Sequence, residues 1–394
     1  MNPIEKIRVL IVDDSPVMRR VIMNALLHHE DIEVVGTASN GVLALEALSR
    51  SDPDIVTLDV EMPEMDGLTA LKEIKKIRPL IPVIMFSKLT QRGAKITIDA
   101  LTSGASDYVG KPENVQDLEA TYAILESDLI PKIKNLCSSK NKNRGQAPSL
   151  RERGIARREQ QAQTLGHAEI KPESKPAVHE APVKMPEPVF IEAIKIPEHT
   201  PSRRIDAIVI GVSTGGPAAL MTLFTGLKIP LKVPVFIVQH MPPKFTELLA
   251  ARLTDLCATP VSEPSEGQEA IPGQAFIAPG GFHLYLKRKG TKVSMHLNEG
   301  PPENSCRPSV DVLFRSAAQV YGKNLLSVVL TGMGSDGLKG AQEILLNGGS
   351  VIAQDQETSV VWGMPGAIAE ANLAEKILPL DKIADELTFL TQLK

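Results

Sequence analysis

The residues with the most obvious chemistry are acidic and sit where apolar runs end. RVLIVDDS closes its run with Asp13 and Asp14, and IVTLDVEMPEMDG closes another with Asp59. Three carboxylates gathered in one place repel each other unless a cation lies among them. Hard oxygen donors of this kind suit Mg²⁺, which takes a few carboxylates together with water and phosphate oxygens. Two further apolar runs end in Ser87 and Lys111, a hydroxyl and an ammonium fit to hold a phosphoryl group. An Asp carboxylate can itself be the nucleophile that accepts that group. A plainer reading of Asp13 and Asp14 is an N-cap, since Asp before a helix that carries Pro16 near its start is ordinary capping chemistry. The ordered set of Asp-Asp, Asp, Ser and Lys at successive strand ends favours the phosphoryl site.

A second chemistry follows residue 204. RIDAIVIGVSTGGPAALMTLF reads as strand, glycine-rich turn and helix, and Gly211-Val212-Ser213-Thr214-Gly215 fits G-x-S-x-G in the context that pattern requires. The glycines permit a sharp turn that lifts the serine hydroxyl above the sheet, while the helix start aims free N–H groups at a developing anion. Alternatives are a phosphate-binding turn, although the G-x-G-x-x-G spacing is absent, or simply tight packing. A nucleophilic serine needs a base. Of the eight histidines, three lie in this region: His240 ends the strand VFIVQH, His283 follows Pro279-Gly280-Gly281, and His296 alternates within a hairpin. His240 is the first choice and His283 the second. The orienting carboxylate is Asp336, in the glycine-rich turn after LLSVVLTGMGSDG, although Asp ahead of the helix starting near Leu338 also reads as an N-cap. The order Ser, His, Asp differs from the Ser, acid, His order of α/β-hydrolases.

These groups need scaffolds. Strand-like runs at Ile7–Val12, Glu33–Ala38, Ile55–Leu58, Val83–Phe86 and Asp107–Val109 alternate with amphipathic stretches at Pro16–His28, Val42–Leu48, Leu68–Ile77, Gly93–Thr102 and Val115–Leu125. That alternation predicts a parallel sheet with helices on both faces, whose ligands collect at the carboxyl ends of the strands. The alternation resumes with Ile205–Ile210, Val235–Val238, Leu326–Leu330 and Ser350–Ala353. Between these, Phe282–Lys287 and Lys292–Leu297 flank Arg288-Lys289-Gly290 as a hairpin. The expected fold is α/β throughout: a flavodoxin-like (βα)5 domain over 1–137, then a Rossmann-like doubly wound domain with a β-hairpin insertion over 205–394. Residues 138–204 read as a charged, proline-rich linker that as a flexible coil would span roughly 45 Å. Its first half is basic and could meet an acidic partner, but a solvated linker is the simpler expectation.

Composition narrows the function. The chain has 394 residues, 43 basic and 47 acidic, with a net charge of −4, so no global field draws it to nucleic acid or an anionic membrane. No apolar run approaches the roughly 18 residues that span a bilayer, and the N-terminus has a strand-like run where a secretory signal would sit. Cys137, Cys257 and Cys306 are far apart in sequence and odd in number, which argues against a disulfide scaffold or thiolate zinc motif and fits a reducing cytoplasm. No helix-turn-helix or basic recognition face is evident.

Residues 5–128 resemble a response-regulator receiver domain, through VDDS, LDVEMPEMDG, Ser87 and Lys111-Pro112. The resemblance implies that Asp59 is phosphorylated and that Asp13 and Asp14 bind Mg²⁺ with Asp59 and the backbone carbonyl of Glu61. It further implies that Ser87 and Lys111 contact the phosphoryl group, that Tyr108 is the switching aromatic, and that Lys111-Pro112 is a candidate cis bond. Residues 204–390 resemble the catalytic domain of chemotaxis protein-glutamate methylesterases, through IGVSTGGP, FIVQHMP, PGGFHL, RPSVDVLF, VVLTGMGSDG and WGMPGAIAEA. This implies a Ser213–His240–Asp336 triad, an oxyanion contact from the Met333 backbone N–H, and a place for Arg307 near the cleft. The linker is longer than is usual in that family. Expected partners are the cytoplasmic helices of methyl-accepting chemoreceptors as substrate and a receptor-coupled histidine kinase as phosphoryl donor, with the protein a cytoplasmic monomer, needing no cofactor for the esterase step. Two alternatives stay open: the same hydrolase design in a non-chemotactic receptor pathway, or a non-enzymatic receiver-linked ligand-binding module.

Overall fold

The structure, a computed structural model, describes residues 6–88, 90–111, 118–144 and 204–392. The first domain runs β1 (Ile7–Val12), α1 (Pro16–Leu27), β2 (Ile32–Ala38), α2 (Gly41–Ser51), β3 (Ile55–Asp59), α3 (Gly67–Ile77), β4 (Val83–Lys88), α4 (Gln91–Thr102) and β5 (Asp107–Lys111). The strands form one parallel sheet in the order β2-β1-β3-β4-β5. β3 is buried along its whole length and β1 nearly so, as expected for parallel strands covered on both faces. Side chains start the helices: Ser15, Asn40, Asp66 and Thr90 each accept a backbone N–H three residues on. Ser15, rather than Asp13 or Asp14, thus caps α1, which leaves both aspartates for other work. The predicted last helix, 115–125, is found as α5 (Leu118–Ile124), passes through a π-turn at Leu125–Leu129, and continues as α6 (Ile130–Arg144). The Lys111-Pro112 bond and nearly all of the expected linker lie outside the described residues.

The second domain holds a seven-stranded parallel sheet in the order β14-β13-β12-β6-β7-β9-β8. Its central strands are β6 (Ala207–Val212), β7 (Val235–Gln239) and β12 (Leu325–Val329), all fully buried. β13 (Ser350–Gln354) was foreseen; β8 (Val261–Ser262), β9 (Ala275–Ile277) and β14 (Lys376–Leu378) were not, being two or three residues long. The hairpin is β10 (His283–Lys289) and β11 (Lys292–Asn298), but Lys289 pairs with Lys292. The turn is therefore Gly290-Thr291, and Arg288 and Lys289 belong to the strand.

The two domains share one continuous apolar core, which includes Ala94, Ile98 and Tyr108 from the first and Leu220, Phe245 and Leu249 from the second. α4 packs against the helices Gly216–Gly226 and Phe245–Leu256. The Tyr108 ring stacks on Phe245 with centroids 4.8 Å apart and planes 10° from parallel. Arg252 pairs with Asp99 at 3.8 Å.

Candidate active site

In the first sheet β1 is the strand from which order reverses, and Asp13 and Asp59 lie at the ends of β1 and β3 on either side of that point. Both are buried. Lys111, at the end of β5, spans them with Nζ 2.8 Å from Asp13 Oδ2 and 2.6 Å from Asp59 Oδ2. Burial pushes the Asp59 carboxyl up to about 6, against the pull of Lys111 and with the help of Asp13. Asp14 is exposed, yet oxygen atoms of Asp13, Asp14 and Asp59 all lie within 4.8 Å of one another. An all-oxygen set with two buried members fits Mg²⁺. Glu61 donates its N–H to Asp59 Oδ1 at 3.3 Å and pairs its side chain with Lys88. Ser87 is buried at the neighbouring strand end, its hydroxyl donating to the Lys88 carbonyl.

In the second sheet the same logic brings three groups together. Asp336, Ser213 and His240 follow β12, β6 and β7, which are adjacent in that order. Thus residues 213, 240 and 336 reach one edge because β6 is the strand from which the chain departs both ways. Ser213 begins the turn into helix Gly216–Gly226. Gly215 there has φ +76°, a conformation that favours glycine. A Cβ on Gly216 would fall 2.0 Å from Gln239 Oε1. That close approach lets Gln239, at the end of β7, clamp two loops: its amide donates to the Ser213 carbonyl at 3.0 Å and the His240 carbonyl at 3.3 Å. From the other side, the Ser213 N–H donates to the Thr331 carbonyl, and the Thr331 hydroxyl donates to the Thr214 carbonyl. Neither Gln239 nor Thr331 was singled out from sequence.

His240 Nε2 lies 2.8 Å from Asp336 Oδ2. Asp336 is 3% exposed and is surrounded by donors. Oδ2 also accepts from the Val310 N–H, while Oδ1 accepts from Asn304, the Ser309 hydroxyl, and the N–H groups of Asp311 and Gly337. The capping alternative for Asp336 therefore resolves in an unforeseen way. The helix Leu338–Leu346 begins at Gly337 without a side-chain cap, and Asp336 instead meets the first turn of helix Val310–Tyr321. Burial opposes ionisation of Asp336, but His240 and the helix N–H groups overcome it and hold the carboxyl down to about 2. For His240, burial opposes protonation, but Asp336 foremost, and Cys306, raise it to about 9.

With Nε2 taken by Asp336, Nδ1 is the nitrogen left to serve Ser213. Among the described hydrogen bonds none joins it to the serine hydroxyl; Nδ1 instead lies 3.5 Å from Cys306 Sγ. Among the described residues, the Met333 N–H has no acceptor. His283, the second choice as base, is tied at both nitrogens, to the Pro301 carbonyl and the Ser309 N–H. His296 is held by Glu266 and Ser294 on the hairpin. Arg307 donates to the carbonyls of Glu299 and Gly300, and its bond to Pro308 is cis. A cavity of about 550 Å³ has His240, Cys306 and Arg307 on its wall from the second domain and Tyr108, Asp128 and Lys132 on its wall from the first.

Comparison with known proteins names both halves. Residues 9–123 match the response regulator receiver domain, and residues 208–387 match the CheB methylesterase family. A protein-glutamate methylesterase/protein-glutamine glutaminase of Trichodesmium erythraeum is 44% identical over 384 residues, 97% of this chain and 98% of the relative. One of the same description from a Nocardioides species is 45% identical over 97% of this chain and 94% of its own. The solved catalytic domain of Thermotoga maritima CheB methylesterase is 44% identical, with a TM-score of 0.46, covering 47% of this chain and 98% of that one. The chain belongs to the protein-glutamate methylesterase/protein-glutamine glutaminase family, with a receiver ahead of its catalytic domain.

Proposed function

We propose that the chain is a phosphorylation-controlled serine hydrolase that removes methyl groups from glutamyl methyl esters of chemoreceptors, releasing methanol, and deamidates receptor glutamines to glutamate. The observation that carries this reading is the placement of Ser213, His240 and Asp336 just after three adjacent strands, with His240 and Asp336 already bonded. Ser213 Oγ attacks the γ-carbonyl as His240 Nδ1, turned from Cys306, takes its proton; Asp336 stabilises the resulting imidazolium. The oxyanion meets the free N–H of Met333 and those at the start of helix Gly216–Gly226. His240 protonates the departing methoxide, and water, deprotonated by the same nitrogen, then hydrolyses the acyl-enzyme. An amide substrate differs only in losing ammonia.

The receiver supplies control. Asp59 accepts a phosphoryl group from a receptor-coupled histidine kinase; Asp13, Asp14, Asp59 and the Glu61 carbonyl would hold Mg²⁺, which when bound would supply charge neutralisation for the phosphoryl oxygens. Lys111 exchanges its bridge between Asp13 and Asp59 for a phosphoryl oxygen, with Ser87 contributing its hydroxyl. Tyr108, on the same strand as Lys111, stacks against Phe245, five residues beyond His240. Phosphorylation thus biases the docking of the receiver over the cleft, a population shift between covered and open states. No helix among the described residues is long and apolar enough to cross a membrane; the proposed setting is the cytoplasm, the protein acting as a monomer on receptor helices. The test is methanol release from methylated receptor membranes with and without a small phosphoryl donor. Ser213→Ala should abolish it with the fold intact, and a retained rate rules the mechanism out.

A further inference from the structure

The contact between Cys306 and His240 plays no part in the reaction above, and its dimensions are those of a metal site. Cys306 Sγ lies 3.5 Å from His240 Nδ1. In tetrahedral zinc, with Zn–S of about 2.3 Å and Zn–N of about 2.0–2.1 Å, the sulfur and nitrogen ligands stand about 3.6 Å apart. His240 Nε2–H donates to Asp336 at 2.8 Å, so Nδ1 is the nitrogen that faces the sulfur, and once it gives up its proton its lone pair completes the carboxylate–imidazole–metal arrangement that fixes a metal-binding histidine. Asp336 is near enough to count as a third ligand, but both its oxygens are already occupied by donors, so it acts behind the imidazole. The cavity opens on both Cys306 and His240, leaving room for waters to complete the coordination.

We infer that His240 Nδ1 and Cys306 Sγ form a two-residue site for a zinc-class divalent ion, and that filling it stops the esterase. A thiolate and an imidazole select Zn²⁺, Co²⁺ or Cd²⁺ over Mg²⁺, whereas the receiver cluster is all oxygen and selects the reverse. Binding releases the Cys306 thiol proton and, below the pKa of the imidazolium, the His240 Nδ1 proton to solvent, and forms one metal–sulfur and one metal–nitrogen bond. The Nδ1 lone pair so used is the one that would take the Ser213 proton. The inhibition therefore rests on the proposed function, while the binding does not.

The full chain is titrated with Co²⁺ and with Zn²⁺ in excess Mg²⁺, which keeps the receiver cluster filled. Thiolate-to-cobalt charge-transfer absorbance and calorimetry follow binding, and methanol release is measured in parallel. The expected result is one ion per chain, a cobalt–thiolate band, and methanol release that falls as zinc binds and returns with a chelator. In Cys306→Ser and Cys306→Ala, each checked for its native melting transition, the band vanishes and at least tenfold more zinc is needed for inhibition. Absence of a band in the unaltered chain, or a band that survives both substitutions, overturns the site. A band without loss of methanol release overturns its inhibitory role, and if the chain shows no esterase activity at all, the band still decides the site.

Discussion

Replacing Asp336 by Asn tests the electrostatics of the catalytic edge most directly. In the native site the carboxylate holds the His240 proton, raising its pKa from 6.5 to about 9. At about 1.4 kcal/mol per unit, that is about 3 kcal/mol of coupling between the imidazolium and its surroundings. Because the folded pKa is the higher one, this stabilisation is fully present below 6.5 and is lost as pH rises through about 9. A base works only when deprotonated, so the acidic limb of methanol release by the unphosphorylated full chain should lie near 9. In Asp336→Asn the amide cannot stabilise the imidazolium, and whichever way it turns, its NH₂ faces a donor: the Val310 N–H on one side, or those meeting Oδ1 on the other. The acidic limb should fall toward the ordinary histidine range, about two pH units lower, and the plateau rate should drop by about three to four orders of magnitude. Rate-versus-pH curves for both proteins, with the His240 ring protons followed by NMR, give the comparison. An acidic limb that stays in place after the substitution would falsify the assignment of the shift to Asp336.

Tyr108→Ala removes a stacked ring worth about 1–2 kcal/mol of domain contact, and should raise resting methanol release about five- to thirtyfold; measuring it in an Asp59→Asn background excludes phosphorylation, and an unchanged rate would detach the stack from control. Gly216→Ala puts a Cβ 2.0 Å from Gln239 Oε1, so the clamp on Ser213 and His240 must shift; kcat should fall at least about tenfold, equivalent to about 1.4 kcal/mol in the barrier, with a lowered melting temperature. The Asp59 carboxyl is raised from 3.8 to about 6, so the folded site binds more protons than the unfolded chain and loses stability as pH rises through that window. Mg²⁺ should accordingly raise the melting temperature more at pH 7 than at pH 5, and Asp59→Asn should remove most of that difference; equal shifts at both pH values would argue against the cluster as the binding site.

Much of this architecture was readable in the sequence because buried parallel strands are unbroken apolar runs, and because ligands gather where such runs end. Asp13, Asp59 and Lys111 converge, as do His240 and Asp336, for that reason. What stayed hidden depends on distances between segments far apart in the chain. Gln239 looked like the polar end of a strand, and its clamp exists only because β6 and β7 are neighbours. Asp336 was weighed as a cap of its own following helix, but the helix it meets begins at Val310, because the loop before that helix folds back to the sheet edge. Cys306 travels on that same loop, and no spacing in the sequence links it to His240, 66 positions away. The shortest strands carry too few residues to show a period.

The cavity has a receiver wall and a catalytic wall, so under the proposed function the receiver and a receptor helix would be rival ligands for one surface. Competition of that kind is governed by concentration as well as by covalent modification. Where receptors are packed densely, substrate alone displaces part of the receiver population, and the gain from phosphorylating Asp59 shrinks accordingly. Reciprocity follows: a chain already engaged on a receptor has its receiver freed from the cleft, and that receiver should accept a phosphoryl group more readily than one still docked.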